Sequence, residues 1–242
     1  MRTSPRTRRL IRRGEIPSIA CFNQSTIPLG SSFEALLTAL QVYVERQVAP
    51  AWGKRAKLVR TSGHVPGHWA LAFLDDSDRA DALAIHDLTP DGLPQGKVFV
   101  RTALEAGQPV SVAASHELVE MLVDPGLNLL SSGPTPGAAY AVEVADPVQA
   151  LNFHVRGLPM SDFVYPAYFE AFRPARSVPF DQMRRVTTPF EIMPGGYQAV
   201  VSNGVWSQIY SAADATRPAP ITSRAESRVG AGRVAVASGA YR

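Results

Sequence analysis

The chain contains a single cysteine, Cys21, in 242 residues. No intramolecular disulfide can form, and a cysteine-rich metal site is excluded. There is no apolar run of about 18 residues, so no membrane-spanning helix is expected. Arginines crowd the N-terminus, but Gly14, Glu15 and Pro17 follow instead of the apolar stretch a secretory leader needs. The expected location is therefore cytoplasmic or virion-associated. Histidine is also scarce, at five residues. Any imidazole-based chemistry must draw on His64, His68, His86, His116 and His154.

Apolar residues make up 45% of the chain and charged residues 19%, a balance that suits a globular domain with a real core. The net charge of +3 is unevenly placed. Arg2, Arg6, Arg8, Arg9, Arg12 and Arg13 open the chain, and Arg217, Arg224, Arg228, Arg233 and Arg242 lie near its end. The basic character belongs to the ends, not to a nucleic-acid face on the fold. Residues 1–15 read as a basic disordered arm and residues 212–242 as a flexible tail rich in Arg, Ala, Pro and Ser. Through these ends the chain could touch nucleic acid or neighbouring subunits.

Between them, the pattern predicts strand, helix, several strands, then a second helix. Residues 16–22 form a short apolar run, a first strand. In residues 33–48, Phe33, Leu36, Leu37, Leu40, Val44 and Val48 recur at helical spacing. Ser31 or Ser32 can cap that helix, and Pro50 is expected to end it. Strands are predicted at 57–61, 69–74, 83–88 and 97–101, with loops at 62–68 and 89–96. The edge of the sheet is expected near 84–87 or 98–101. A second helix is predicted over 111–123 and stopped by Asp124-Pro125-Gly126. Beyond it, residues 139–145 alternate toward strand. Residues 197–202 and 205–211 flank Asn203-Gly204, a strong hairpin signal.

The second helix carries the chemistry. Its sequence Ser115-His116-Glu117-Leu118-Val119-Glu120 puts His116 and Glu120 one turn apart on one face. Glu117 lies about 100° further round. Two ligands at i and i+4 beside a carboxylate base is the zincin arrangement, whose usual pattern is H-E-x-x-H. Here Glu120 replaces the second histidine, giving H-E-x-x-E. A zinc hydrolase needs three protein ligands, and a base for the attacking water. Asp146 is the first choice for the third ligand and Glu143 the second. Asp124 is a weaker candidate that better suits capping the following turn. One histidine with two carboxylates suits Zn2+, with Ca2+ or Mn2+ as alternatives.

Other histidines fit blander roles. Pro66 and Gly67 separate His64 from His68, which favours a loop over a metal site. His86 reads as a satisfied core histidine, with a substrate-side role as the alternative. His154 reads as an exposed strand residue. Tyr165 and Tyr168 fit aromatic packing better than oxyanion support. For His116, Glu117 and Glu120 themselves, the alternative is a solvated helix face.

A wider pattern joins these pieces. S-H-E-x-x-E-x-x-x-D-P occupies residues 115–125, E-x-x-D-P residues 143–147, and S-D-F-V-x-P-x-Y-F residues 161–169. With segments at 41–53 and 85–90, the chain over about 16–210 resembles zincin-type metallopeptidases of the divergent H-E-x-x-E kind. The pattern is shared by proteins of bacteria and their phages. The resemblance implies an α/β (α+β) fold in which a mixed sheet packs on an N-terminal helix and an active-site helix. An N-terminal subdomain would span 16–126, and a smaller β-rich part 127–211. The implied function is a zinc peptidase acting on peptide or protein substrates, with Glu117 as general base. The alternative is a catalytically silent, zincin-like structural component of a phage or phage-like particle, holding a structural cation or none.

Overall fold

The computed structural model describes residues 16–77, 83–89 and 91–214. The basic arm and the tail from residue 215 onward lie outside the described residues. The architecture is α+β, with a five-stranded mixed sheet and a four-stranded antiparallel sheet.

Strand β1 (Ser18–Asn23) lies between β2 (Lys57–Arg60) and β3 (Trp69–Leu74), parallel to both. β5 (Pro94–Phe99) pairs parallel with β3, and β4 (Ala84–Leu88) closes the edge antiparallel to β5. The sheet order is β2-β1-β3-β5-β4. Of the two segments expected at the edge, the one over 84–87 holds that place; residues 98–99 lie inside the sheet. The fifth strand also starts earlier than expected, at Pro94 rather than at residue 97. A proline is tolerated as the first residue of a strand, where no ladder donor is needed. The strand ends at Phe99, because α3 (Val100–Glu105) begins immediately after it.

Helix α1 (Phe33–Tyr43) is capped by Ser32, whose side chain accepts from the Ala35 amide. Pro50 does not end it. The helix continues as a π-helical turn (Val44–Val48) and then α2 (Ala49–Trp52), before Gly53 stops it at φ 67°. A proline ring clashes with the carbonyl four residues back, and the wider turn just before Pro50 gives it room. Gly53 takes the left-handed conformation that commonly terminates helices.

Helix α4 (Val110–Val123) is buried at all fourteen positions. A helix covered on every side belongs to the core, which overturns the alternative of a solvated face. It packs against β4, β5 and β9 (Leu158–Ser161). One hydrophobic cluster runs from Ile19 through α1 and α4 to Val200, so both parts of the chain share a core.

The second sheet has the order β11-β10-β7-β6, made of β6 (Leu130–Ser132), β7 (Ala138–Ala141), β10 (Tyr197–Ser202) and β11 (Val205–Tyr210). β10 and β11 form the expected hairpin, with Asn203 at φ 50° and Gly204 at φ 77°. β7 stops at Ala141, four residues short of the expected end. The chain there leaves the sheet and turns into a 3₁₀ segment (Asp146–Val148). β8 (Asn152–Val155) and β9 make a separate hairpin. The predicted tail begins slightly too early: Ala212–Asp214 forms a 3₁₀ turn, held where the Asp214 carboxylate accepts from the Gly195 amide and the Ser211 hydroxyl.

Candidate metal centre

Three elements deliver the site. Helix α4 supplies His116, Glu117 and Glu120. The turn after β7 supplies Glu143 and Asp146. The edge strand β4 supplies His86. On β4, His86 stands opposite Gly96 of β5, and directly opposed residues share a sheet face. That face looks at α4: a Cβ on Gly96 would lie 3.6 Å from the Cβ of Glu117 and 2.9 Å from Leu71 Cδ1. The bare backbone at Gly96 lets α4 approach closely enough for His86 to reach its carboxylates.

His116 Nε2 lies 3.2 Å from Asp146 Oδ1 and 3.3 Å from Glu120 Oε1. His86 Nδ1 lies 3.4 Å from Glu117 Oε2 and 3.5 Å from Glu120 Oε2, and His86 Nε2 lies 3.8 Å from Glu143 Oε2. All six side chains are buried, with exposures from 0% for Glu120 and Asp146 to 5% for His116. Among the described residues, no lysine or arginine is buried. Four carboxylates and two imidazoles thus share one enclosed space. Burying ionised carboxylates is costly unless charge and hydrogen bonds compensate them.

The spacings fit a metal. Ligand atoms about 2.1 Å from a tetrahedral ion stand about 3.4 Å from one another. The contacts of His116 with Asp146 and Glu120 match that figure. Without an ion, His116 Nε2 and Asp146 Oδ1 are within hydrogen-bond distance at 3.2 Å. His116, Glu120 and Asp146 each offer one atom to a group lying within 4.8 Å. The Ala145 amide donates to Glu120 Oε1 at 3.3 Å, which ties the helix to the peptide just before Asp146.

His86 is the residue the sequence undervalued. It is buried as expected of a core histidine, yet neither ring nitrogen makes a hydrogen bond. Burial alone would push its pKa down. The carboxylates of Glu143, Glu117 and Glu120 outweigh that and raise it to about 10. The legible signal was a histidine in an apolar strand aligned with Gly96, but only the register makes it informative.

The remaining candidates fall elsewhere. Asp124 caps the turn after α4, accepting from the Asn128 and Leu129 amides at 3.0 Å each. His64 and His154 are exposed, and His68 sits in the loop before β3. Tyr168 is fully buried among Phe169 and Phe190, and Tyr165 donates to Gln182. Ser115 braces the centre without entering it. Its hydroxyl accepts from the Ser161 amide at 2.7 Å and donates to the Val112 carbonyl.

No family model matches the chain, and neither the curated proteins nor the solved structures contain a match.

Proposed function

We propose that the chain is a metal-dependent hydrolase with a zincin-like core, acting on peptides. His116, Glu120 and Asp146 hold a divalent cation, most suitably Zn2+, and Glu117 is the general base. The observation that carries this reading is the buried triad itself, with 3.2 Å and 3.3 Å contacts converging on His116 Nε2. A dication held there would supply Lewis acidity to a substrate carbonyl and to the attacking water. Glu117 takes a proton from that water and can return it to the leaving amine. Its place beside His86, at 3.4 Å, fixes its carboxylate in the same enclosure. The antiparallel edge strand β4 borders the centre and offers backbone groups for an extended peptide to pair with.

The test is metal content by elemental mass spectrometry, with peptide turnover measured alongside. Wild type is expected to carry near-stoichiometric metal that His116→Ala loses. Glu117→Gln is expected to keep the metal and lose turnover by at least 100-fold, a typical worth for a general base of about 10²–10⁴. Full activity in Glu117→Gln would sink the mechanism.

The depth of burial favours a second reading, a cation held for structure in a silent zincin-like component of a phage-like particle. It gives the same metal content, but no turnover of any peptide in wild type and an ordered assembly of chains.

A further inference from the structure

The centre contains a second group of ligands. His86, Glu120 and Glu143 each offer one atom to a set lying within 4.8 Å, and all three are buried. Glu120 belongs to both groups, and its two oxygens are divided between them. Oε1 faces His116 at 3.3 Å, while Oε2 faces His86 at 3.5 Å. A carboxylate with one oxygen toward each of two donor sets is the bridge of a two-metal site, where the ions stand about 3.5–4 Å apart.

We propose that this chain binds a pair of divalent transition-metal ions, the second held by His86, Glu120 and Glu143, with Glu120 bridging the two. This builds on the reading of His116, Glu120 and Asp146 as the first site. Three observations support the second. Both nitrogens of His86 are buried without a partner at good hydrogen-bond geometry, Nδ1 facing Glu117 and Glu120 at 3.4 and 3.5 Å and Nε2 facing Glu143 at 3.8 Å. The 3.5 Å separation of His86 Nδ1 from Glu120 Oε2 is again a ligand-to-ligand spacing, not that of a charge-assisted hydrogen bond. Finally, four carboxylates and two imidazoles line one enclosure, a donor set large enough for two ions. An imidazole in each triad favours zinc or iron, and the carboxylates also admit manganese.

The chemistry of the pair would go beyond that of a single ion. Two ions can hold the attacking and the departing oxygen or nitrogen at once.

The test uses the full chain, loaded with Mn2+ and freed of excess metal. Elemental mass spectrometry counts the ions, and electron paramagnetic resonance reports whether they are coupled. Wild type is expected to hold about two ions per chain with an exchange-coupled spectrum, as a carboxylate-bridged pair gives. His86→Ala should hold half as much, with the spectrum of isolated ions. Glu143→Gln, which keeps the side-chain volume, should do the same if the alanine variant fails to fold. One uncoupled ion in wild type, unchanged by His86→Ala, would overturn the proposal and leave His86 as a buried imidazolium. If His86→Ala halves the content but His116→Ala does not lower it, the first triad is wrong and the second stands. No metal in wild type overturns both.

Discussion

Asp162 shows how much one buried carboxylate can reveal at the scale of the residue. It lies beside Asp181, and both are fully buried. Burial first, and then Asp181, raise its pKa from the usual carboxylate range to about 8. Asp162 Oδ1 still accepts from the Phe163 and Met183 amides, and Asp181 accepts from Arg185 and Val186. Asp162 therefore keeps its proton in the folded state up to about pH 8. A folded pKa above the unfolded one gives stability that is complete at low pH and fades as pH climbs toward 8. Asp162→Asn mimics the protonated form, so its melting temperature should fall less between pH 5 and pH 9 than that of wild type. Equal falls in thermal melts of the two proteins would refute the protonated Asp162. Cys21 yields a simpler prediction. Buried in β1, its thiol is pushed up to about 12. It should resist alkylation in the native protein and react fully once the chain is unfolded, as read by intact mass.

At the scale of the element, the turn carrying Asp146 depends on a neighbour far along the chain. A Cβ on Gly196 would stand 2.3 Å from the Pro147 carbonyl oxygen and 2.7 Å from its carbon. These are backbone atoms and cannot rotate away. Gly196→Ala should therefore shift the 3₁₀ segment and pull Asp146 off the centre. The expected cost is about 1–3 kcal/mol of stability, typical of overpacking, together with weaker metal binding. Denaturant melts and a metal titration would check both, and unchanged metal affinity would show that the turn moves independently of Gly196. This coupling could not be read from the sequence, where Gly195-Gly196 marks only a break between segments. Other element features were legible because they rest on local rules. The hydroxyl of Ser32, the period of α1 and the Asn203-Gly204 turn each act within a few residues. The expected stop at Pro50 failed because the π-helical turn before it relieves the clash. The placing of 89–96 in a loop failed because Pro94 and Gly96 look like turn formers but are held in the sheet by β3 and β4.

For the whole molecule, the placing of His116, Glu117 and Glu120 on one helix was legible while its surroundings were not. The spacing of His116, Glu117 and Glu120 follows from helix geometry. That Asp146 joins His116, while Glu143 joins His86, follows only from the path of the chain after β7 and the register of β4. The sequence left Asp146 and Glu143 as rivals for one position, and the structure gives each its own partners. The ligands come from β4, α4 and the turn after β7, so an ion bound there clamps three distant stretches. Binding energy then appears as folding energy. With free metal at 100 times its dissociation constant, the gain is about 2.7 kcal/mol for one site. Removing metal with a chelator should lower the melting temperature of wild type clearly and that of His116→Ala by less. Calorimetry with and without chelator decides this, and identical shifts would show that the chelator acts elsewhere.

The bond from the Ala145 amide to Glu120 has one more consequence. With it, the ligands sit on a buried helix, a paired strand and a turn locked against Gly196. Calcium asks for six to eight oxygens at about 2.3–2.6 Å and a cage that yields to it. For the proposed ion, such an enclosure would act as a gauge of narrow bore, better suited to a small dication than to calcium.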